Sequence, residues 1–216
     1  MSTAPKPKSN IEPIKASTYV ATLYQIVYLG TQKQEWKGNI KELPKVRLTF
    51  ELPKLLKVWK EGEEAKPRVI SRDFTFSMGG KANLRKFIEG IEGVSLLDSE
   101  AYAYDVDTLL GKSCLISVSC VNKNDKTYNN IETASPLMDD MVAPKKYNPN
   151  FLFDVNSFDQ KKFETLPEFL QEKIKASPEY KGRNGLSPEA IADLESARAN
   201  EVGGHDEEIN PSDIPF

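Results

Sequence analysis

Histidine and cysteine are scarce in this sequence. Among 216 residues there are one histidine, His205, and two cysteines, Cys114 and Cys120. Structural zinc sites use four nitrogen and sulfur ligands, and a Ser-His-Asp triad needs a histidine close to its nucleophile. We therefore expect no metal, no cofactor, no such triad and no disulfide framework. The two cysteines lie six residues apart on one predicted strand, which places both on its core-facing side.

Long apolar runs are also absent, since no segment has the length needed to cross a membrane. Residues 1–10 are polar and do not contain the apolar segment of a secretory signal. Gly79-Gly80-Lys81 does not have the spacing of a phosphate-binding P-loop. We therefore expect a cytoplasmic protein, and nothing in these features indicates an enzyme.

Charge is divided unevenly along the chain. Residues 1–150 contain 22 Lys and Arg against 18 Asp and Glu, a net charge of +4, whereas residues 151–216 contain 7 against 14, a net charge of −7. The first 86 residues alone carry +9, from 17 basic and 8 acidic groups. This pattern favours a polyanion-binding body followed by an acidic interaction tail.

The periodicity of the first 136 residues predicts a mainly β domain. Residues 46–52 alternate most clearly, with Val46, Leu48 and Phe50 on one side and Lys45 and Arg47 on the other. The predicted elements are strands at 18–29, 46–52, 69–76, 113–121 and 127–134, with a helix at about 82–89. This order, with the helix between strands three and four, is that of the OB-fold, a five-stranded Greek-key barrel.

The chain changes character after residue 136. Residues 136–165 predict an irregular arm whose aromatic cluster, 151–153, needs burial on the barrel or on a partner subunit of a homodimer. Helices are predicted at 166–175, with Phe169, Leu170 and Ile174 on one side, and at about 187–200. The predicted organisation is a flexible leader at 1–16, the OB-fold domain at 17–136, the arm and C-terminal helices at 137–200, and a disordered acidic tail at 201–216.

The last residues form a distinct motif. The chain ends in Asp213-Ile214-Pro215-Phe216, after an acidic stretch that contains Glu207 and Glu208. The ring and terminal carboxylate of the last residue can enter an apolar pocket beside a Lys or Arg together. The motif resembles the tail of bacterial single-stranded DNA-binding proteins. That resemblance implies a segment that binds replication and repair enzymes.

Single-strand binding requires cations for the phosphates and aromatic faces for the bases. OB-folds use the face of strands two and three and the loops 1–2 and 4–5 for this purpose. The residues expected to bind nucleic acid are Lys33, Trp36, Lys37, Lys45, Arg47, Trp59, Arg68, Arg72, Lys123, Lys126 and Tyr128.

Three of these residues have a second interpretation. Trp59 follows apolar residues and is equally consistent with the anchor of a short helix. Arg72 has the strand parity of core residues, so it lies at a barrel edge or beside a bulge. Trp36 has no apolar neighbours in the predicted basic loop 31–45, which favours stacking on a base.

Three segments, Leu29-Gly30-Thr31-Gln32, 81–86 and 109–115, are similar to a group of phage and prophage OB-fold proteins. These proteins are described as single-stranded DNA-binding or replication-associated, and the resemblance extends over roughly residues 15–180. It implies a protein that coats single-stranded DNA, largely without sequence preference, during replication, recombination or repair in a bacterial host cell.

Two alternatives remain open at the level of sequence. An adaptor that mimics the bacterial tail would bind protein rather than DNA through its body. A metal-dependent nuclease would use acids such as Glu51 and Asp73, which lie on neighbouring predicted strands.

Overall fold

The fold is mainly β. A computed structural model describes residues 12–36, 38–59, 61–123 and 126–184, with the backbone alone for Trp36, Lys123, Lys126 and Asn184. The strands are β1 (Ser17–Trp36), β2 (Asn39–Lys57), β3 (Lys66–Thr75), β4 (Ser113–Lys123), β5 (Lys126–Ser135) and β6 (Phe151–Asp154). The helices are α1 (Asn83–Glu92), α2 (Asp98–Tyr102), α3 (Gln160–Thr165), α4 (Glu168–Ala176) and α5 (Pro178–Asn184), and Val106–Leu109 forms one 3-10 turn.

Strand β1 organises the sheet, whose order is β3-β2-β1-β4-β5 with antiparallel neighbours. The first part of β1, 17–22, pairs with β4, and the part from 22 to 36 pairs with β2. Strand β6 joins β1 in parallel at 25–28, beyond the point where β4 ends its pairing. Register shifts at Leu23/Gln25 and Tyr28/Gly30 interrupt the β1–β2 ladder. Bulges of this kind bend and twist a strand, so β1 can serve three neighbours.

The two end strands of the sheet, β3 and β5, approach each other through a side chain. The Arg72 guanidinium on β3 donates from one nitrogen to the carbonyl oxygens of Ile131 and Glu132 on β5, at 2.7 and 2.8 Å. Helix α1 also packs on β5, so closely that a Cβ on Gly90 would lie 2.4 Å from the Ala134 oxygen. The sheet is therefore curled around one apolar core.

That core is built from alternate residues of the strands and from the apolar side of α1. Phe50 and Phe74 of the sheet meet Phe87 of the helix, with ring centroids 5.9 and 4.9 Å apart. Ile14 is also buried in this core, and its backbone bonds to the Asn129 side chain. The predicted leader, 1–16, thus contributes a core residue, and residues 1–11 lie outside the described part of the chain.

Strand β1 continues seven residues beyond the predicted end at Leu29. Gly30 does not terminate the strand but has φ 70° where it meets α5. A Cβ at this position would lie 2.7 Å from a Glu179 oxygen and 2.8 Å from the Ser177 Cβ. The next residue, Thr31, donates its backbone N–H and its hydroxyl to the Glu179 carboxylate at 2.7–3.0 Å. Glycine is needed there because of its positive φ and because of this close packing, although the strand does not turn at this point.

The predicted basic loop 31–45 is a two-stranded ribbon. Residues 31–36 of β1 pair with 39–44 of β2, and Gly38 in the connection has φ 79°. Strand β2 also passes the predicted stop at Pro53 and continues to Lys57, with a register shift between Leu52 and Leu56. Charged residues mask the β pattern in the ribbon, which is why the sequence indicated a loop there. Pro53 indicated the end of the second strand, but the strand continues past it through the register shift.

Residues 147–155 pack on the barrel of the same chain, which was one of the two predicted possibilities. Phe153 of β6 is buried with Val27 and Leu29 on the outer face of β1, in a second apolar cluster that includes α3 and α4. Strand β6 was not expected, because four residues give too short a pattern. The Glu51 carboxylate, which is fully buried, accepts the backbone N–H groups of Tyr147 and Asn148, each at 2.8 Å.

The C-terminal part of the described chain is more helical than the sequence indicates. Helix α4 lies within the predicted helix 166–175 apart from its last residue, whereas α3 and α5 are additional. The predicted helix at 187–200 and the tail at 201–216 lie outside the described residues. Of the two cysteines, Cys114 is buried and Cys120 is exposed, because the core ends before the fourth strand does. Among the described helices, none is long and apolar enough to span a membrane.

We expect Glu51→Gln to loosen residues 146–150 and to destabilise the protein. An amide keeps one acceptor oxygen but turns a donor toward backbone N–H groups, so the free energy of unfolding should fall by about 1–3 kcal/mol. Urea denaturation measures this change, and amide hydrogen exchange at Tyr147 and Asn148 locates it. Glu61→Gln, at an exposed position between β2 and β3, is the control, and equal stabilities of the two variants would contradict the prediction.

Candidate nucleic-acid interface

The outer face of β2 and β3 presents a row of paired polar residues. Across the two strands, Lys45 lies opposite Thr75 and Arg47 lies opposite Asp73. Alternation along β2 directs Val46 and Leu48 into the core, which places the two cations on the outer side, as the sequence predicted.

Lys45 lies at the centre of this face. Its Nζ donates to the Gln34 Oε1 at 2.7 Å and to the Thr75 Oγ1 at 2.8 Å, so the ribbon and β3 both hold it in place. Partial burial lowers the pKa of Lys45, while Asp73 acts in the opposite direction and Lys173 adds to the lowering. A cation that is partly desolvated and fixed in position binds an anion more strongly than a free surface lysine.

Arg47 belongs to an ion network that includes the C-terminal helices. Its guanidinium lies 2.8 Å from one oxygen of Asp73, and the other oxygen accepts from the Lys173 Nζ of α4, also at 2.8 Å. The Arg47 guanidinium also lies over the ring of Phe169, 5.2 Å from the centroid. Two cations therefore share one carboxylate at this point.

Two adjoining grooves extend along β3. One, of about 450 Å³, lies between β3 and β5 and is lined by Arg47, Arg72, Asp73 and Glu132, among others. The second, of about 590 Å³, continues toward the start of α1. Its polar lining consists of Gln34, Lys45, Arg72, Asp73, Thr75, Ser77, Lys81 and Asn83. Since Arg72 and Asp73 line both grooves, the two form one path across the β2–β3 face.

Arg72 has a structural role in this path. Its guanidinium makes the two bonds to β5 and lies over the rings of Phe74 and Phe87, at 4.7 and 5.8 Å from their centroids. Arg72 therefore lies at the barrel edge, which is one of the two positions that the sequence left open.

The predicted residues of the ribbon and of the β2–β3 connection lie around the face. The Lys33 side chain is 77% exposed and is 3.6 Å from Glu42, whereas the Trp36 side chain and Lys37 lie outside the described part of the chain. Trp59 follows the end of β2 rather than anchoring a helix, and it is 43% exposed with Lys57 over its ring. Arg68 donates to the Glu12 carbonyl at 2.5 Å and so holds the N-terminal segment.

The β4–β5 hairpin carries the remaining predicted residues. Tyr128 is 49% exposed and pairs with Val121, which is also exposed. Lys123 and Lys126 pair at the end of the hairpin, and their side chains lie outside the described part. Tyr128 is therefore the aromatic residue that the described hairpin offers to solvent.

Sequence reasoning missed three residues, namely Lys81, which lines the second groove, and Phe169 and Lys173, which contact Arg47 and Asp73 from α4. The helix pattern placed Phe169 with Leu170 and Ile174 on one apolar side, but only the last two are buried and Phe169 is 49% exposed. The four-residue spacing of Phe169 and Lys173 indicates a shared helix face. The sequence does not show where that face docks.

The two acids of the nuclease alternative do not converge. Glu51 lies opposite Val69 and Asp73 opposite Arg47, two side-chain rows apart on the β2–β3 ladder. Each is engaged, the first with backbone N–H groups at 147–148 and the second with two cations. Within the described residues, no group of three or more His, Cys, Asp or Glu side chains is arranged to hold a metal ion.

No protein-family model matches the chain. A search of curated proteins also finds no match.

We expect Arg72→Gln to weaken the junction of β3 and β5. Glutamine is shorter and can bond at most one of the two carbonyl oxygens of β5, and it places no charge over the rings of Phe74 and Phe87. The free energy of unfolding should therefore fall by about 1–3 kcal/mol. Thermal unfolding followed by circular dichroism measures the loss, with Lys54→Gln, at an exposed position of β2, as the control. An unchanged melting temperature for Arg72→Gln would show that the contacts to β5 do not stabilise the junction.

Proposed function

We propose that this protein binds single-stranded DNA through the outer face of β2 and β3. The cationic path formed by the two grooves along β3 is the observation that carries the proposal. Lys45 and Arg47 lie on it in fixed positions, and Lys81 extends it toward α1. A strand of phosphates gains affinity from several cations placed along its course, whereas an isolated surface lysine gives little affinity.

The barrel supports the same proposal as an OB-fold. The five strands follow the order β3-β2-β1-β4-β5, β1 is long and bent, and α1 lies between β3 and β4 in the chain. In OB-folds the β2–β3 face and the loops 1–2 and 4–5 bind oligonucleotides. In this chain the ribbon at 31–44 and the hairpin that carries Tyr128 correspond to those loops.

The proposed binding is largely independent of base sequence. Lys and Arg side chains contact phosphates, and exposed aromatic rings such as Trp59 and Tyr128 offer faces that any base can stack on. The resemblance to phage and prophage proteins supports a role in coating exposed strands during replication, recombination or repair.

The terminal residues 213–216 supply the second half of the proposal. Their resemblance to the tail of bacterial single-stranded DNA-binding proteins supports recruitment of replication and repair enzymes, with Phe216 as the anchor. Because residues 151–216 carry a net charge of −7, the tail also favours encounter with a basic partner surface.

An adaptor that binds protein through its body is the second candidate. One observation favours it, which is that Arg47 already has an ion partner and Arg72 already has two carbonyl partners. A phosphate would have to displace the first and could not readily displace the second. The binding experiment below separates the two functions.

We expect full-length protein to bind labelled oligo-dT with an affinity that falls as salt rises, and to resist competition by duplex DNA. The double variant Lys45→Gln/Arg47→Gln should bind more weakly, with a plot of log affinity against log salt that is less steep by about one unit. Lys54→Gln/Lys86→Gln removes the same charge from two exposed lysines outside the grooves and should leave the slope unchanged.

Absence of binding by wild-type protein at low salt would overturn the DNA-coating function and leave the adaptor. Loss of the labelled strand on addition of Mg²⁺ would instead reveal a nuclease. Oligo-U as competitor shows whether RNA binds the same face.

We expect removal of residues 207–216 to leave DNA affinity unchanged or raised, because the deleted segment is acidic and competes for the same cations. The same deletion should abolish binding to an enzyme that recognises bacterial tails of this kind, and so should loss of Phe216 alone. Surface-immobilised full-length protein and both variants measure this directly. Equal binding of the partner by all three would contradict the tail's role.

A further inference from the structure

Helix α4 holds an aromatic and a basic residue against the cationic path. Phe169 and Lys173 lie one turn apart on the helix and face Arg47 and Asp73 of the sheet. Neither residue contributes to the barrel, and neither is buried with the second apolar cluster. Their position therefore needs an explanation other than core packing.

The helix that carries them is fixed to β1. Leu170 and Ile174 are buried against the outer face of β1, and the Gln32 side chain donates to the Lys173 carbonyl oxygen at 2.9 Å. A ring or a cation held in this way loses little conformational freedom when a ligand binds.

The Phe169 ring combines exposure with electrostatic support. It is 49% exposed, which is unusual for a phenylalanine beside an apolar cluster, and the Arg47 guanidinium lies over it. Base stacking on aromatic side chains with neighbouring arginine is the means by which single-strand binding proteins hold nucleotides.

Asp73 occupies the place of an anion between two cations. One carboxylate oxygen contacts Arg47 and the other contacts Lys173, and a backbone phosphate has a similar pair of charged oxygens. A phosphate that binds Arg47 and Lys173 must replace this carboxylate or share the two cations with it. Its charge opposes an incoming phosphate at short range.

We propose that Phe169, Arg47 and Lys173 form one nucleotide subsite, in which the ring stacks a base and the two cations exchange Asp73 for a backbone phosphate. This inference rests on the proposed function, since it specifies where a single strand contacts the β2–β3 face. It assigns part of the binding surface to the C-terminal helices, outside the barrel. It also makes Asp73 a built-in competitor of the ligand.

The stacking half is tested with oligo-dT and with the same oligonucleotide lacking bases. Phe169→Ala should bind oligo-dT about 10-fold more weakly than wild type, as expected for one lost base stack. On the abasic strand the variant and the wild type should bind alike. Phe169→Leu, which keeps an apolar side chain, should show the same loss with an unchanged melting temperature. Tyr102→Ala, at an exposed aromatic residue of α2, is the control.

The phosphate half is tested by Asp73→Asn. Removal of the carboxylate charge should raise the affinity for both strands several-fold at low salt and should steepen the salt dependence by about one unit, because an additional cation becomes available to phosphate. Asp139→Asn makes the same charge change at an exposed position and should alter neither quantity. Lys173→Gln should weaken binding to both strands.

Failure of the subsite is distinguishable from failure of the proposed function. If wild-type protein binds neither strand, the DNA-coating function itself falls. If wild type binds but Asp73→Asn leaves affinity and slope unchanged, Asp73 does not compete with a phosphate and the exchange is overturned. If Phe169→Ala strengthens binding, α4 covers the path rather than contributing to it. If the variant weakens binding equally on both strands, Phe169 acts without stacking on a base. Either result overturns the subsite.

Discussion

The structure depends on the ability of β1 to pair with three different strands. It begins on β4, passes to β2 and receives β6 on the side that β4 has left. Two register shifts supply the bend, because an extra residue in one strand rotates the direction of those that follow. Without them β1 would remain in one plane, and β3 could not come within side-chain reach of β5.

A second consequence is that β1 is buried on both faces. Ile26 packs in the barrel core while Val27 and Leu29 pack under β6, α3 and α4. The C-terminal helices are therefore part of the folded body, and they reduce the part of the outer face that stays open to solvent. On β2 and β3 the outer face stays open along a strip beside β3, which Lys45, Arg47 and Arg72 line. The location of the candidate site thus follows from the packing of residues 151–184.

The strands that alternate cleanly could be predicted, and the segments rich in charge could not. Residues 46–52 place Lys45 and Arg47 correctly, since a period of two leaves them only one face. The ribbon at 31–44 was interpreted as a loop because it is exposed on both sides, so no apolar alternation marks it.

Phe169 was assigned to the apolar side of its helix. Helical periodicity does not reveal which residue at the boundary of that side stays exposed to solvent. Gly30 was interpreted as the end of the first strand. Its actual role is to allow contact with Glu179, a residue far away in the sequence. Such contacts lie beyond any local pattern.

The contact of Arg72 with β5 also bears on whether another chain can add a strand at the ends of the sheet. β3 and β5 are the ends of the strand order, and the edge of a sheet is a template on which another chain can add a strand. A guanidinium bonded to the carbonyls of Ile131 and Glu132 occupies acceptors that an incoming strand would need. The positive charge of Arg72 would also lose its contact with water if such a strand paired with β5. One arginine therefore opposes the addition of a further strand at this point of β5, in a protein whose proposed ligand would bring many copies side by side.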